Sequence, residues 1–212
     1  MIDPEIDAKA DPKPAPESAL GTDQFEMRRL ESLSNTIFGV AMTLLAYDLP
    51  KAGVFKSSPD WSDLAHVYSG KLFGFALSFI IAGVFWISHH RRLARQPLGS
   101  RSAVMLNLFF LLSIVVLPVT NGLYGNYAMS NAVAVLYGLH LTIIAGLNAW
   151  LWWTVLGGWR PEMIASLFPV LVFLPGTAVA AVAPPYAPYL WFIAFGALAI
   201  RRFASRKPAD DS

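Results

Sequence analysis

Chemistry in this sequence is confined to a few polar side chains set among apolar ones. Residues 28–50 read RRLESLSNTIFGVAMTLLAYDLP, a membrane-span-like segment that still carries two arginines, an asparagine, two threonines, a tyrosine and an aspartate. Residues at i, i+3, i+4 and i+7 share a helical face. On that spacing Thr36, Val40, Thr43, Leu44 and Tyr47 form one stripe that mixes hydroxyls with apolar groups. Asn35, Gly39, Met42 and Ala46 form a neighbouring stripe of smaller side chains suited to helix contact. The hydroxyls serve one of two purposes: interhelical hydrogen bonds of about 0.6–2 kcal/mol each, or the lining of a water-filled path. Asp48, beside Pro50 at the end of the segment, either draws cations to an entrance or is solvated at the interface.

Three histidines make up a candidate polar network. His89 and His90 are adjacent, and neighbours on a helix point about 100° apart, so they chelate poorly. The expectation is that one ring turns inward to another helix and the other meets the headgroups. His140 lies inside an apolar run, where an ionisable group is a functional candidate by default. Its plain alternative is a neutral ring bonded to a backbone carbonyl, or to a residue such as Thr142 of another subunit.

Signatures of other chemistry are lacking. The sequence has no glycine-rich phosphate loop, His-Glu-x-x-His, nucleophile elbow or pair of intramembrane carboxylates, so no enzyme is expected. It has no cysteine, which excludes disulfides and thiolate metal sites, and no metal or cofactor is expected. The basic residues are scattered among turns that flank apolar runs, which argues against nucleic-acid binding.

The elements that must position these residues follow from composition. Of 212 residues, 55% are hydrophobic and only 14% charged, against about a quarter charged in soluble domains. The fold class expected is an all-α integral membrane protein. Six apolar segments stand out, at Leu33–Leu49, Leu72–Ser88, Val104–Leu123, Ala132–Leu156, Ile164–Ala183 and Tyr186–Ile200. The first, second and last are short for a hydrocarbon core of about 30 Å and need an extra turn. APPYAP separates the last two, which are otherwise one long broken segment. With six spans, thirteen of the sixteen Lys and Arg fall on one side and only Lys51, Lys56 and Lys71 on the other. The positive-inside rule then places both termini in the cytoplasm. LNAWLWWTVLGGW reads as an aromatic interface belt, and FPVLVFLPGTAVAAVA as a kinked, close-packing span. Residues 1–27 are acidic and proline-rich, expected to be a disordered tail; 28–203 make the transmembrane domain, and 204–212 a short polar tail.

Three stretches together resemble the bacterial relatives of transmembrane protein 175, the endosomal and lysosomal potassium channel. RLESLSNTIFGVAMTLL resembles the first helix, which in that family opens with Arg-x-x-x-Phe-Ser-Asp. FWISHHRRL resembles the end of its second helix, and LNLFFLLSIVVLPVTNGLYGNY its third. The resemblance covers roughly residues 28–130. It implies six helices per repeat, cytoplasmic termini, a homotetramer, and a central cation pore lined by first helices. Carried over, the constriction falls at Val40 and Leu44, Thr43 supplies a hydroxyl ring and Tyr47 lies further out; these belong to the stripe with Thr36 that periodicity isolates. Arg29 and Ser34 match the family motif, whereas Leu33 and Asn35 replace its Phe and Asp. That exchange removes the carboxylate from the inner end of the helix, so no contact of Arg29 or a histidine with an acid is expected there. The function this implies is a potassium-permeable cation channel in a bacterial inner membrane, with monovalent cations, lipid and further copies of itself as partners. The alternatives are a membrane transporter or a regulatory membrane subunit on the same fold.

Overall fold

The computed structural model describes residues 24–93 and 98–194, without the side chains of 24–28 and 92–99. The stretches 1–23 and 204–212, and the end of the sixth apolar segment after Ala194, lie outside the described residues.

Among the described residues, five helices are long and apolar enough to cross a membrane. The first, α1 (Met27–Leu45), starts before the apolar run and gives way to 3-10 turns at Ala46–Asp48 and Ala52–Val54. The second, α2 (Trp61–Leu93), has 33 residues, a length of about 50 Å. It begins three turns earlier than the apolar pattern indicates, because Asp60 and Asp63 cap it reciprocally. The Asp63 N–H donates to Asp60 Oδ1 at 2.8 Å and the Asp60 N–H to Asp63 Oδ2 at 3.1 Å, closing two backbone donors at the helix start.

The third helix, α3 (Arg101–Tyr127), is capped by Ser100 Oγ, which accepts from the Ala103 N–H at 3.2 Å, and it contains Pro118. The fourth, α4 (Asn131–Leu156), stops at Gly157, whose φ of +69° lies in the left-handed region that glycine adopts without strain. Then come α5 (Ile164–Val182), a 3-10 turn at Pro184–Tyr186, and α6 (Ala187–Ile193). The proline break is therefore a reversal: a Cβ on Gly176 of α5 would sit 2.5 Å from Trp191 Nε1 of α6. Residues 24–26, assigned to the tail by composition, form strand β1. It pairs antiparallel with β2 (Leu98–Ser100), Gln24 opposite Ser100 and Glu26 opposite Leu98.

Helix α4 packs between α3 and α5, while α1 and α2 pack against α3 and each other. One core runs through the bundle, built on Phe38, Leu77, Ile81, Phe110, Ile114, Tyr137, Phe173 and Trp191. Large apolar side chains also cover the outside, among them Phe109, Leu112, Ile143 and Leu171, as suits a protein whose solvent is lipid. The aromatic belt divides: Trp150, Trp153 and Trp159 are exposed, while Trp152 is buried and donates to Asn148 Oδ1 at 3.3 Å.

Candidate functional site

Helix α1 has two unlike faces. Leu30, Ser34, Phe38, Ala41 and Leu45 recur every three or four residues and are buried, Phe38 and Leu45 to 1% exposure. This is the main contact stripe; of the expected one, Asn35 bonds Trp86 of α2 and Met42 packs on the core, whereas Gly39 has nothing within 4 Å of a Cβ and Ala46 is exposed. The opposite face holds Thr36, Val40, Thr43, Leu44 and Tyr47, all exposed, with Val40 at 54% and Tyr47 at 69%. Both hydroxyls on it bond back to their own helix, Thr36 to Ser32 O at 3.1 Å and Thr43 to Val40 O at 2.7 Å. Each proton is thereby spent on a carbonyl, and the oxygen lone pairs are left to face outward.

The buried face carries a polar knot near its N-terminal end. Ser34 Oγ donates to Leu30 O at 2.7 Å, which leaves it an acceptor for His89 Nε2 at 3.2 Å and Asn107 Nδ2 at 3.4 Å. His89 therefore carries its proton on Nε2, and α1, α2 and α3 meet on one hydroxyl. Its ring packs between Phe38 and Phe110, with centroids 6.1 and 5.1 Å away.

Beside this knot runs a more exposed chain of contacts along the α1–α2 seam. His90 Nδ1 lies 2.9 Å from Glu31 Oε1, and the His90 ring stacks on Trp86. The Trp86 Nε1–H donates to Asn35 Oδ1 at 2.8 Å. A histidine–carboxylate contact thus exists at the N-terminal end of α1, contrary to expectation, because Glu31, one turn before Asn35, supplies the acid. His89 and His90 divide as anticipated in one respect: His89 turns inward. His90 pairs with α1. Leu33 is exposed at 42% and Arg29 is also exposed.

His140 belongs to a separate cluster. Its Nε2 lies 3.0 Å from Ser113 O and its Nδ1 2.7 Å from Thr120 Oγ1, both on α3 of the same chain. A carbonyl only accepts, so Nε2 holds the proton and Nδ1 takes the Thr120 hydroxyl proton. Thr142 bonds instead to Gly138 O within α4, at 2.8 Å. The two bonds of His140 straddle Pro118, whose ring removes an amide donor from α3.

A third buried group ties four helices together nearer the other end of the bundle. Ser78 Oγ donates to Asn121 Oδ1 at 2.7 Å and receives the Tyr137 hydroxyl at 2.7 Å. Tyr137 stacks on Tyr124 at 4.6 Å, and Trp191 closes edge-on against both. Sequence reasoning passed over Ser78, Asn107, Asn121 and Tyr137, whose signal was a polar side chain within an apolar run.

Residues 29–118 match the family described as Endosomal/lysosomal potassium channel TMEM175. The α1–α3 segment is thus similar to the TMEM175 family. The match begins at Arg29 and ends at Pro118, so it takes in the two-faced α1, the Ser34–His89–Asn107 knot and α3 as far as its proline. The chain is also similar to a potassium channel of Streptomyces collinus, 27% identical over 139 residues, which is 60% of this chain and 64% of that protein. It therefore spans somewhat less than two thirds of that relative's length.

Proposed function

We propose that the chain is a potassium-permeable cation channel in which four copies surround a path lined by α1. Residues 28–203 form the transmembrane domain, both termini are cytoplasmic, and the membrane is a bacterial inner membrane. One observation carries the reading: the α1 face with two threonines and a tyrosine is the face left exposed, while the opposite face is packed. A helix meant only for lipid needs no hydroxyls, whereas polar groups become inexpensive when they face water or one another.

Thr36 and Thr43, with their protons turned back into the helix, offer oxygen rather than hydrogen to a passing ion. Oxygen rings replace a cation's hydration shell, and apolar rings gate by excluding water. Val40 and Leu44 supply the apolar rings and Thr43 the oxygen ring between them. The family that the α1–α3 segment resembles and the potassium channel of Streptomyces collinus support potassium as the ion. Lysine and arginine placement supports the orientation.

Cysteines placed singly at Thr36, Val40 and Tyr47 test the assembly. Oxidation is expected to yield disulfide-linked dimers at each position, and bilayer recordings to give cation currents blocked by the crosslink. Should none of the three positions link copies, α1 does not line a shared axis.

A further inference from the structure

The outer end of the α1 stripe carries a charge that the channel reading leaves unused. Lys51 Nζ lies 4.2 Å from the centroid of the Tyr47 ring, and Tyr47 is the last member of the stripe. A cation over an aromatic face is held by the ring quadrupole, and here the strap bearing it is itself fastened. The Leu49 N–H donates to Ala46 O at 3.2 Å and the Val54 N–H to Lys51 O at 3.0 Å. From α2, the Tyr68 hydroxyl donates to Pro50 O at 2.9 Å, and Phe55 packs on the Tyr68 ring.

The acid closest in sequence, Asp48, flanks Tyr47 on the side toward α3, where both line an open cleft with Leu44 and Val119. Asp48 lies with its carboxylate against Gly122 of α3, where a Cβ on that glycine would collide with it. It lines a small cleft there with Lys71, Asn121 and Asn126. The charge in contact with the Tyr47 ring itself is the Lys51 ammonium, with the Asp48 carboxylate drawn to the α3 flank. Asp48, which sequence position made a candidate for attracting cations, is turned toward another helix.

We propose that Lys51, held over Tyr47, sets the rate of cation entry. Repeated around the path, its ammonium repels cations at the mouth and makes flux from that side low and salt-dependent. The assignment rests on the channel reading. Like charges around a narrow opening act over the Debye length, about 30 Å at 0.01 M salt and about 3 Å at 1 M.

The test uses the full chain in planar bilayers with potassium chloride at those two concentrations. Lys51→Gln is expected to raise current entering from the Lys51 side by about twofold or more at low salt. Lys51→Glu should raise it further, Lys51→Arg should match the original, and all should converge at high salt. Lys51→Gln currents equal to the original at low salt overturn the assignment, as does a change of the same factor at both concentrations. A conducting protein that ignores Lys51 sinks this inference alone. An original protein that passes no cation at either concentration sinks the channel reading and this inference with it.

Discussion

The indole of Trp86 on α2 gives its N–H to Oδ1 of Asn35 on α1 at 2.8 Å. Asn35 thus keeps an acceptor oxygen in use without a negative charge. Asn35→Leu is expected to lower stability by about 1 kcal/mol, the net worth of one hydrogen bond, read as a lower melting temperature in detergent. Asn35→Asp keeps the acceptor and should melt close to the original. Combined with Trp86→Phe, Asn35→Leu should show a coupling of about 0.5–1.5 kcal/mol. Strict additivity would mean that the two side chains do not bond.

The two faces of α1 should answer mutation in opposite ways. Phe38→Ala empties a fully packed site and is expected to cost about 3–5 kcal/mol. Val40→Ala, on the exposed face, should change stability by no more than about 0.5 kcal/mol. In recordings the order should reverse: on the proposed channel reading, Val40→Ala and Leu44→Ala are expected to alter conductance by widening the apolar rings that reading assigns to them. A Val40→Ala protein that melts far below the original would show this face to be packed within the chain.

His140 holds α3 on both sides of Pro118. His140→Leu deletes both bonds and leaves the Thr120 hydroxyl without its partner in α4, at an expected cost of about 1–3 kcal/mol. Adding Thr120→Val should cost less in that background than in the original protein, since the hydroxyl then has only Leu117 O, at 3.1 Å, to bond. Thermal melts of the single and double variants decide it; a double variant that simply sums two losses refutes the pairing.

Gly138 and Gly176 make room for Trp191: a Cβ at Gly138 would lie 2.9 Å from Trp191 Cζ2 and one at Gly176 2.5 Å from its Nε1. Gly176→Val is expected to displace the indole and cost about 1–3 kcal/mol by overpacking. Loss of its contacts with Tyr124 and Tyr137 should shift tryptophan emission. Gly146, with nothing within 4 Å, is the control, where alanine should be neutral or slightly stabilising.

Much of this architecture is legible from hydropathy, since apolar runs set four helix ends closely: the fourth span begins at Asn131 rather than Ala132 and the fifth ends at Val182 rather than Ala183. The start of α2 is less so. Its first turns are polar, and only the Asp60-x-x-Asp63 spacing, a local capping signal, announces them. The exposed stripe of α1 follows from periodicity, and of the expected contact stripe Asn35 and Met42 meet neighbours while Gly39 and Ala46 do not within the chain. Small residues suggest close approach, but the bundle here packs against Phe38 and Leu45. His140 was visible as an intramembrane ionisable group; its partners, twenty or more residues away, depend on how α3 and α4 align. Glu31 was legible as an acid but not as the partner of His90, because the pairing needs the register of two helices.

The backbone ladder between β1 and β2 has a mechanical meaning. It fastens the entry of α1 to the entry of α3, helices that also pack along their length. A pull on the chain ahead of Gln24 is therefore shared by both helices before either can slide or turn alone. Whatever grips that end holds a two-helix lever with its fulcrum at Ser34 and Asn107.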